Sequence, residues 1–258
     1  MQTTTSSILQ LTSADWARIN QVQYAYNQSI TFNKVVGVPI YPATQPIHTT
    51  IELIRIPTYL TSIRLITFLK QIPEFNQFDS DDRVVLVKYN LLAVVFLHIV
   101  LIYDPETDTF HENHTEDPIF QGKDWIEIFG EYFYRQLTDF AIKMSKTIHN
   151  DDIILKIFLL LILFTKGFCY YDISHEPTLK NSSIVYESQC LYTESLFKYC
   201  LHRYSWEKAI LIFTDFLQHL FSIQRLAVHL KDYVHNHIDP SQVSPLMQCV
   251  LQLTDPNT

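Results

Sequence analysis

Two apolar runs dominate the pattern of the chain. Leu91–Tyr103 and Ile153–Phe164 are hydrophobic on nearly every side, interrupted by His98 and Lys156 respectively. Each run falls short of the ~20 apolar residues that a membrane span needs, and a helix apolar all round belongs at the centre of a helical stack. Around these runs the spacing is that of amphipathic helices. Trp16, Ile19 and Val22 predict a first helix from about Ser13 to Tyr26, with Ser13 as its N-cap. A loop containing Gly37, Pro39, Pro42 and Pro46 follows. The next helix leads through Ile63, Ile66 and Leu69 and ends near Pro73, with Pro57 opening or kinking it.

Asn76–Ser80 reads as a turn before a long apolar helix that begins near Asp81. Tyr103–Asp108 carries turn residues, and Phe110–Pro118 reads as irregular or weakly extended. Further helices are predicted at about 122–147, 150–168, 188–203 and 205–235. Within the last of these, Trp206, Ile210, Phe213, Leu217 and Leu220 alternate at spacings of four and three, a seam suited to helix–helix packing. A short final helix is expected at 244–252, with Ser244 as cap, Pro245 in the first turn, and Leu246, Met247, Val250 and Leu251 on one face. The sum is roughly nine to eleven helices with at most a small hairpin, an all-α fold. A single domain over 1–258 is expected, with 1–12 and 253–258 lacking order.

Composition narrows the function. Hydrophobic residues make up 47% of the 258 and charged residues 18%, a balance for a thick interior rather than a disordered tail. Four glycines are too few for an all-β fold with tight hairpins or for phosphate-cradling loops. The net charge of −8 offers no broad cationic surface to nucleic acid. Cys169, Cys190, Cys200 and Cys249 show neither a CxxC pair nor a framework spacing, so they read as reduced, mostly buried thiols of an intracellular protein. The eleven histidines lack HExxH or similar spacing, so no metal site is expected. The first ten residues, MQTTTSSILQ, have no secretory signal, and the N-x-S/T triplets at Asn27, Asn113 and Asn181 read as chance matches. No GxSxG or P-loop is present. Asp81–Asp82 and Asp151–Asp152 are neighbours that diverge by roughly 100° on a helix, so they read as solvated helix starts rather than a shared site. An enzyme is not expected.

The stretch Phe68–Lys88, FLKQIPEFNQFDSDDRVVLVK, resembles the signature of the nuclear receptor ligand-binding domain. Phe68, Lys70, Pro73, Phe75, Asp82, Leu86 and Lys88 carry the match. YDPETDT (103–109) continues it, LFSIQRLAVHL (220–230) resembles the dimerisation helix, and SPLMQCVL (244–251) resembles the C-terminal activation helix. The resemblance implies a three-layer antiparallel α-helical sandwich and a transcriptional regulator without the zinc-finger DNA-binding half. Whether such a half lies upstream in the gene stays open. It further implies a small lipophilic, sterol- or lipid-like ligand, coregulators that dock an LxxLL-like amphipathic helix, and a nuclear location shared with the cytoplasm. Homo- or heterodimerisation with another receptor is also implied; no cofactor, direct nucleic-acid contact or membrane contact is. The alternative is a ligand-independent partner-binding or decoy domain that dimerises with other receptors.

By resemblance, Ile63, Ile66, Val84 and Val87 floor the coregulator groove. Lys70 grips the partner helix's C-terminal carbonyls, with Arg83 and Lys88 beside it. A groove for a short helix needs such an apolar floor and terminal charges. Thr58, Thr61, Leu65, Leu92, Val95, Phe96 and Ile99 would wall the ligand pocket, joined by His98 and by His229 as a polar anchor. Trp206, Ile210, Phe213, Leu217 and Leu220 would form the dimer interface. The same side chains also suit ordinary core and solvated helix faces. Three positions depart from the family pattern. Cys249 stands where the activation helix usually has an acid, His98 and Ile102 where an arginine often holds a ligand, and Ala93 where heterodimerising members carry glutamate. The second departure favours a neutral ligand.

Overall fold

The computed structural model describes residues 10–34, 47–166, 168 and 178–253. The first helix, α1 (Ser13–Phe32), is capped by Thr12, one residue before the expected Ser13. Thr12 accepts from the Asp15 amide while the Asp15 carboxylate accepts from the Thr12 amide, a reciprocal capping box. It also runs past Tyr26 to Phe32, because Ser29 and Ile30 continue its inward face against the core. The expected loop at 37–46 and most of both termini lie outside the described residues. Leu11 and Leu253, in segments expected to lack order, are described and rest against the core.

A short α2 (Thr50–Leu53) passes into one π-helical stretch, Ile54–Thr58, which carries Pro57, and then into α3 (Tyr59–Lys70). The proline therefore does not open α3 but sits two residues before it, in a widened turn that accommodates its missing N–H. Pro73–Gln77, expected in part as a turn, forms the short helix α4, with Pro73 suited to its first position. α5 (Ser80–Ile102) holds the first apolar run. By length and composition it could cross a membrane, yet most of its apolar stretch is buried inside the protein. Its placement at the centre of the stack decides against a span.

Three two-residue strands, β1 (Tyr103–Asp104), β2 (Thr109–Phe110) and β3 (Phe120–Gln121), pair antiparallel in the order β1-β2-β3. α6 (Gly122–Thr147) follows, interrupted at Gly130, whose φ of 80° is open to glycine. The second apolar run forms α7 (Asp152–Leu163), α8 spans Ser182–Arg203, and α9 spans Trp206–His237. α8 starts six residues before the expected 188, capped by Asn181. A 3₁₀ turn, Pro240–Gln242, leads to α10 (Pro245–Val250), which Ser244 caps as expected. The result is the all-α sandwich read from the sequence, with a small sheet of three strands in place of a hairpin.

The layers follow from the two apolar helices. α5 and α7 pack together in the middle, α1 and α3 cover one side, and α6 and α9 cover the other. Each of the two polar interruptions finds a partner in place. Lys156 pairs with Asp152 at 2.5 Å and lies 4.7 Å from the Tyr26 ring centroid. His98 joins a buried hydrogen-bonded group described below. Asp82 of the signature stretch is fully buried and accepts from the Lys180 and Asn181 amides at 2.7 and 2.9 Å, tying the start of α5 to the entry of α8. Asp82→Ala is expected to destabilise the fold by about 1.5–3 kcal/mol, the value of charge-assisted bonds whose donors lose their acceptor. Urea denaturation checks it, and a loss within error of zero would contradict this role.

Candidate functional site: an inner cavity and a surface groove

α3 and α5 face each other across one end of the sandwich, and the sheet segment 110–121 closes that end. Between them lies a cavity. The space open to the centre of a water-sized sphere is about 50 Å³, and the total empty space among the lining residues, including the part open to solvent, is about 590 Å³. Of the expected pocket residues, Thr58, Thr61, Val95, His98 and Ile99 line it. Ile102, one of the positions where the family often has arginine, lines it too. Leu65, Leu92 and Phe96 are buried in the core and do not line it. Phe96 instead meets Phe133 of α6 edge-on, centroids 6.4 Å apart.

His229 does not join this pocket. It sits on α9 against the Phe133 ring, 4.9 Å between centroids, and lines a separate surface depression with Asp232 and Tyr233. The helical phase near the end of a long helix decides this: Leu226, Ala227 and Leu230 take the inward positions and His229 falls between them and solvent.

The cavity wall is more polar than its sequence suggested. Tyr26 Oη lies 2.8 Å from His98 Nε2 and donates to Glu112 Oε1 at 3.1 Å, while His98 Nε2 is 3.0 Å from Glu112 Oε2. Burial alone would raise the Glu112 carboxyl. The charge and hydrogen bond of His98, together with Arg64, outweigh that and hold it below the usual carboxylate range. Arg64 of α3 forms a two-pronged ion pair with Asp117 and donates to the Asn33 carbonyl at 3.0 and 3.2 Å. The pocket thus has an arginine after all, supplied by α3 rather than α5 and already occupied.

Sequence reasoning missed Tyr26, Arg64, Glu112 and Asp117. The partners are 14 to 86 residues apart and two of them fall in an irregular segment, so no local period joins them. One signal was present: Arg64 sits between Ile63 and Leu65, on the inward side of a helix that otherwise buries Ser62, Leu65, Phe68 and Leu69.

The residues expected to form the groove lie along α3 to its C-terminal end and on the first turns of α5, which packs against it. Ile63, Ile66 and Val87 are half-buried, Val84 is 59% exposed, and Lys70 stands exposed at the end of α3. Arg83 and Lys88 are half-buried on α5, which packs against α3. α10 packs on α5, burying Met247 and Val250, and Gln252 Nε2 approaches the Lys88 carbonyl at 3.5 Å. Arg55, in the π-helical stretch, donates to the Gln242 carbonyl at 2.9 Å and ties the segment before α10 to the start of α3. Cys249 is half-buried. Burial pushes its thiol up, with Lys88 opposing more weakly, so at neutral pH it stands as an uncharged group. The other described cysteines divide: Cys200 is buried and Cys190 is exposed, which corrects the expectation of mostly buried thiols, while Cys169 lies outside the described residues.

On α9 the seam splits in two. Trp206, Ile210 and Leu217 are exposed, joined by Leu211 and Phe221, whereas Phe213 and Leu220 are half-buried against the core. Phe213 is held there by Phe158 and Phe197, with centroids at 5.9 and 5.6 Å. Among the described residues no group of histidine, cysteine and carboxylate side chains is arranged to hold a metal ion.

No family model matches the chain. Over 191 residues it is 24% identical to nuclear hormone receptor HR96 of Drosophila melanogaster, an alignment that covers 74% of this chain and 25% of that protein. The chain spans about a quarter of the length of the curated relative it matches. The likeness suggests a nuclear-receptor-like domain.

Proposed function

We propose that this domain is a nuclear-receptor-like transcriptional regulator that works in the nucleus, binds the amphipathic helix of a coregulator, and is biased by a small ligand in the α3–α5 cavity. The observation that carries this reading is the aliphatic strip of Ile63, Ile66, Val84 and Val87. It lies on two packed helices beside Lys70, with the C-terminal helix seated next to it on α5. A partner helix would bury its apolar face on the strip and direct its C-terminal carbonyls at Lys70. The ligand would act through its differential affinity for docked and undocked arrangements of α10. The exposed face of α9 is the surface for a second receptor-like copy or partner.

The neutral Cys249 sets the strength of the groove. A thiol is a weak acceptor and supplies no charge to the N-terminal end of the partner helix. Cys249→Glu is therefore expected to tighten binding of an LxxLL peptide by about two- to fivefold, the equivalent of ~0.3–1 kcal/mol. Fluorescence anisotropy with a labelled peptide measures it. A variant that binds no better would place the partner helix elsewhere.

A second reading has one observation in its favour. The cavity's inner space, about 50 Å³, is far below the 300–1,000 Å³ typical of ligand pockets, so the domain could bind partners without a ligand. Full peptide affinity in delipidated protein, unchanged by any added ligand, would favour this ligand-independent or decoy role.

A further inference from the structure

Charge is distributed unevenly around the aliphatic strip. The chain as a whole is acidic, with a net charge of −8. Yet α3 contains no aspartate or glutamate, and neither does the segment 244–253 that holds α10. α5 carries its acids at its start, where they are already engaged. Asp82 is buried against the Lys180 and Asn181 amides, and Lys180 bridges Asp79 and Asp81 at 3.5 and 2.5 Å. Glu74 of α4 accepts from Tyr192 Oη at 2.6 Å. The lysines differ. Among the described residues neither Lys70 nor Lys88 is in an ion pair.

These two lysines stand in different places. Lys70 closes α3. Lys88 lies against the C-terminal segment, where its carbonyl takes Gln252 Nε2 at 3.5 Å. Burial pushes the Cys249 thiol up, and the Lys88 charge is what opposes it. At the Lys70 end a cation meets the carbonyl end of a docked helix, the favourable polarity. At the Cys249 end the polarity is wrong. The positive end of the partner's dipole meets an uncharged thiol and a lysine, and no carboxylate. A helix with basic residues there would add its own charge to that repulsion. A helix that carries Asp or Glu at its N-cap and first turn supplies the missing anion itself. Those carboxylates accept from its own unpaired N–H groups and face Lys88.

We infer that the groove selects an amphipathic helix with acidic residues at its N-terminal end and rejects one with basic residues there, Lys88 setting the choice. The inference rests on the groove reading above and names the charge class of its partner.

The test is fluorescence anisotropy on the whole chain with three labelled peptides. They share one LxxLL core and differ only in the turn before it, which is acidic, neutral or basic. At ~0.1 M salt the acidic peptide is expected to bind about three- to tenfold more tightly than the basic one, with the neutral peptide between them. At ~1 M salt, where the screening length falls from ~10 to ~3 Å, the ratio should shrink to within about twofold. Lys88→Glu should reverse the order. Cys249→Glu, which places a carboxylate at the same end, should remove most of the preference by a change that leaves Lys88 in place. Equal affinities for the acidic and basic peptides, or a preference for the basic one, would overturn the inference and leave the groove standing. A preference that persists at ~1 M salt and in both variants would also overturn it, because charge at this end would not be its source. Binding of none of the three peptides would overturn the groove reading itself.

Discussion

Arg64→Ala is expected to destabilise the domain by about 3–5 kcal/mol, because it leaves Asp117 buried with no countercharge. The pair is well shielded, with side-chain exposures of 6% and 8%, and Arg64 also serves the Asn33 carbonyl at the end of α1. Removing it therefore strands two acceptors and loosens the joint between α1, α3 and the 111–118 segment. For a domain of this size the melting temperature should fall by roughly 6–20 °C. The attraction itself is not the source of the effect. Charges withdrawn from water regain little more than they lose, so Arg64→Met combined with Asp117→Leu should recover most of the stability. Urea denaturation of the three proteins checks both statements. A single variant within 1 kcal/mol of the parent, or a double variant no better than the single, would show that the pair is solvated in solution.

Phe158→Ala is expected to have a similarly large effect, about 3–5 kcal/mol, by a different route. Phe158 is fully buried in α7 and stacks on Phe216 of α9, centroids 3.5 Å apart and planes 11° from parallel. Its other neighbour, Phe213, meets it edge-on. Truncation removes the ring from the middle of the stack, where backbone on both sides is fixed by other helices and the space cannot close. The midpoint in urea should fall with little change in slope, since the same surface is exposed on unfolding. Peptide affinity measured well below the transition should stay within twofold, because the Phe158 ring packs on Phe213 and Phe216 of α9 rather than on the groove residues of α3 and α5. A loss below 1 kcal/mol would mean that the aromatic stack repacks around the gap.

The layered helical fold was legible because its strongest signal is local. The runs 91–103 and 153–164 could be stable in water only at the centre of a stack, and they became α5 and α7. Ser244 and Pro245 marked the start of α10 through backbone chemistry that needs no tertiary context. Thr12 was missed in favour of Ser13 because both are good caps, and the deciding group, Asp15 at the third helical position, had to be counted from the right start. The three-stranded sheet was beyond reach: two-residue strands carry no period, and their pairing depends on α5 and α6 delivering the ends.

The site divides along the same line. Thr58, Thr61, Val95, His98 and Ile99 were expected together, from the resemblance, and line one cavity because they sit on helix faces that meet in space. Arg64–Asp117 and Tyr26–His98–Glu112 were not, since such pairs are made by the fold and leave no spacing behind. His229 was expected at the pocket from the resemblance alone, and the phase of α9 places it beside the inward positions on a separate depression instead. Phe213 and Leu220 read as one seam with Trp206 and Leu217, yet the helix turns them toward the core while the others stay outside.

The central claim is that a coregulator-type helix docks on the strip between α3 and α5. Hydrogen–deuterium exchange of the chain with and without an LxxLL peptide tests it most directly. The account predicts protection concentrated in 63–70, 84–88 and 245–250, and loss of that protection in Val84→Asp, a change at an exposed position that leaves the core intact. Protection along the outer face of α9 instead, or no protected segment at saturating peptide, would contradict it.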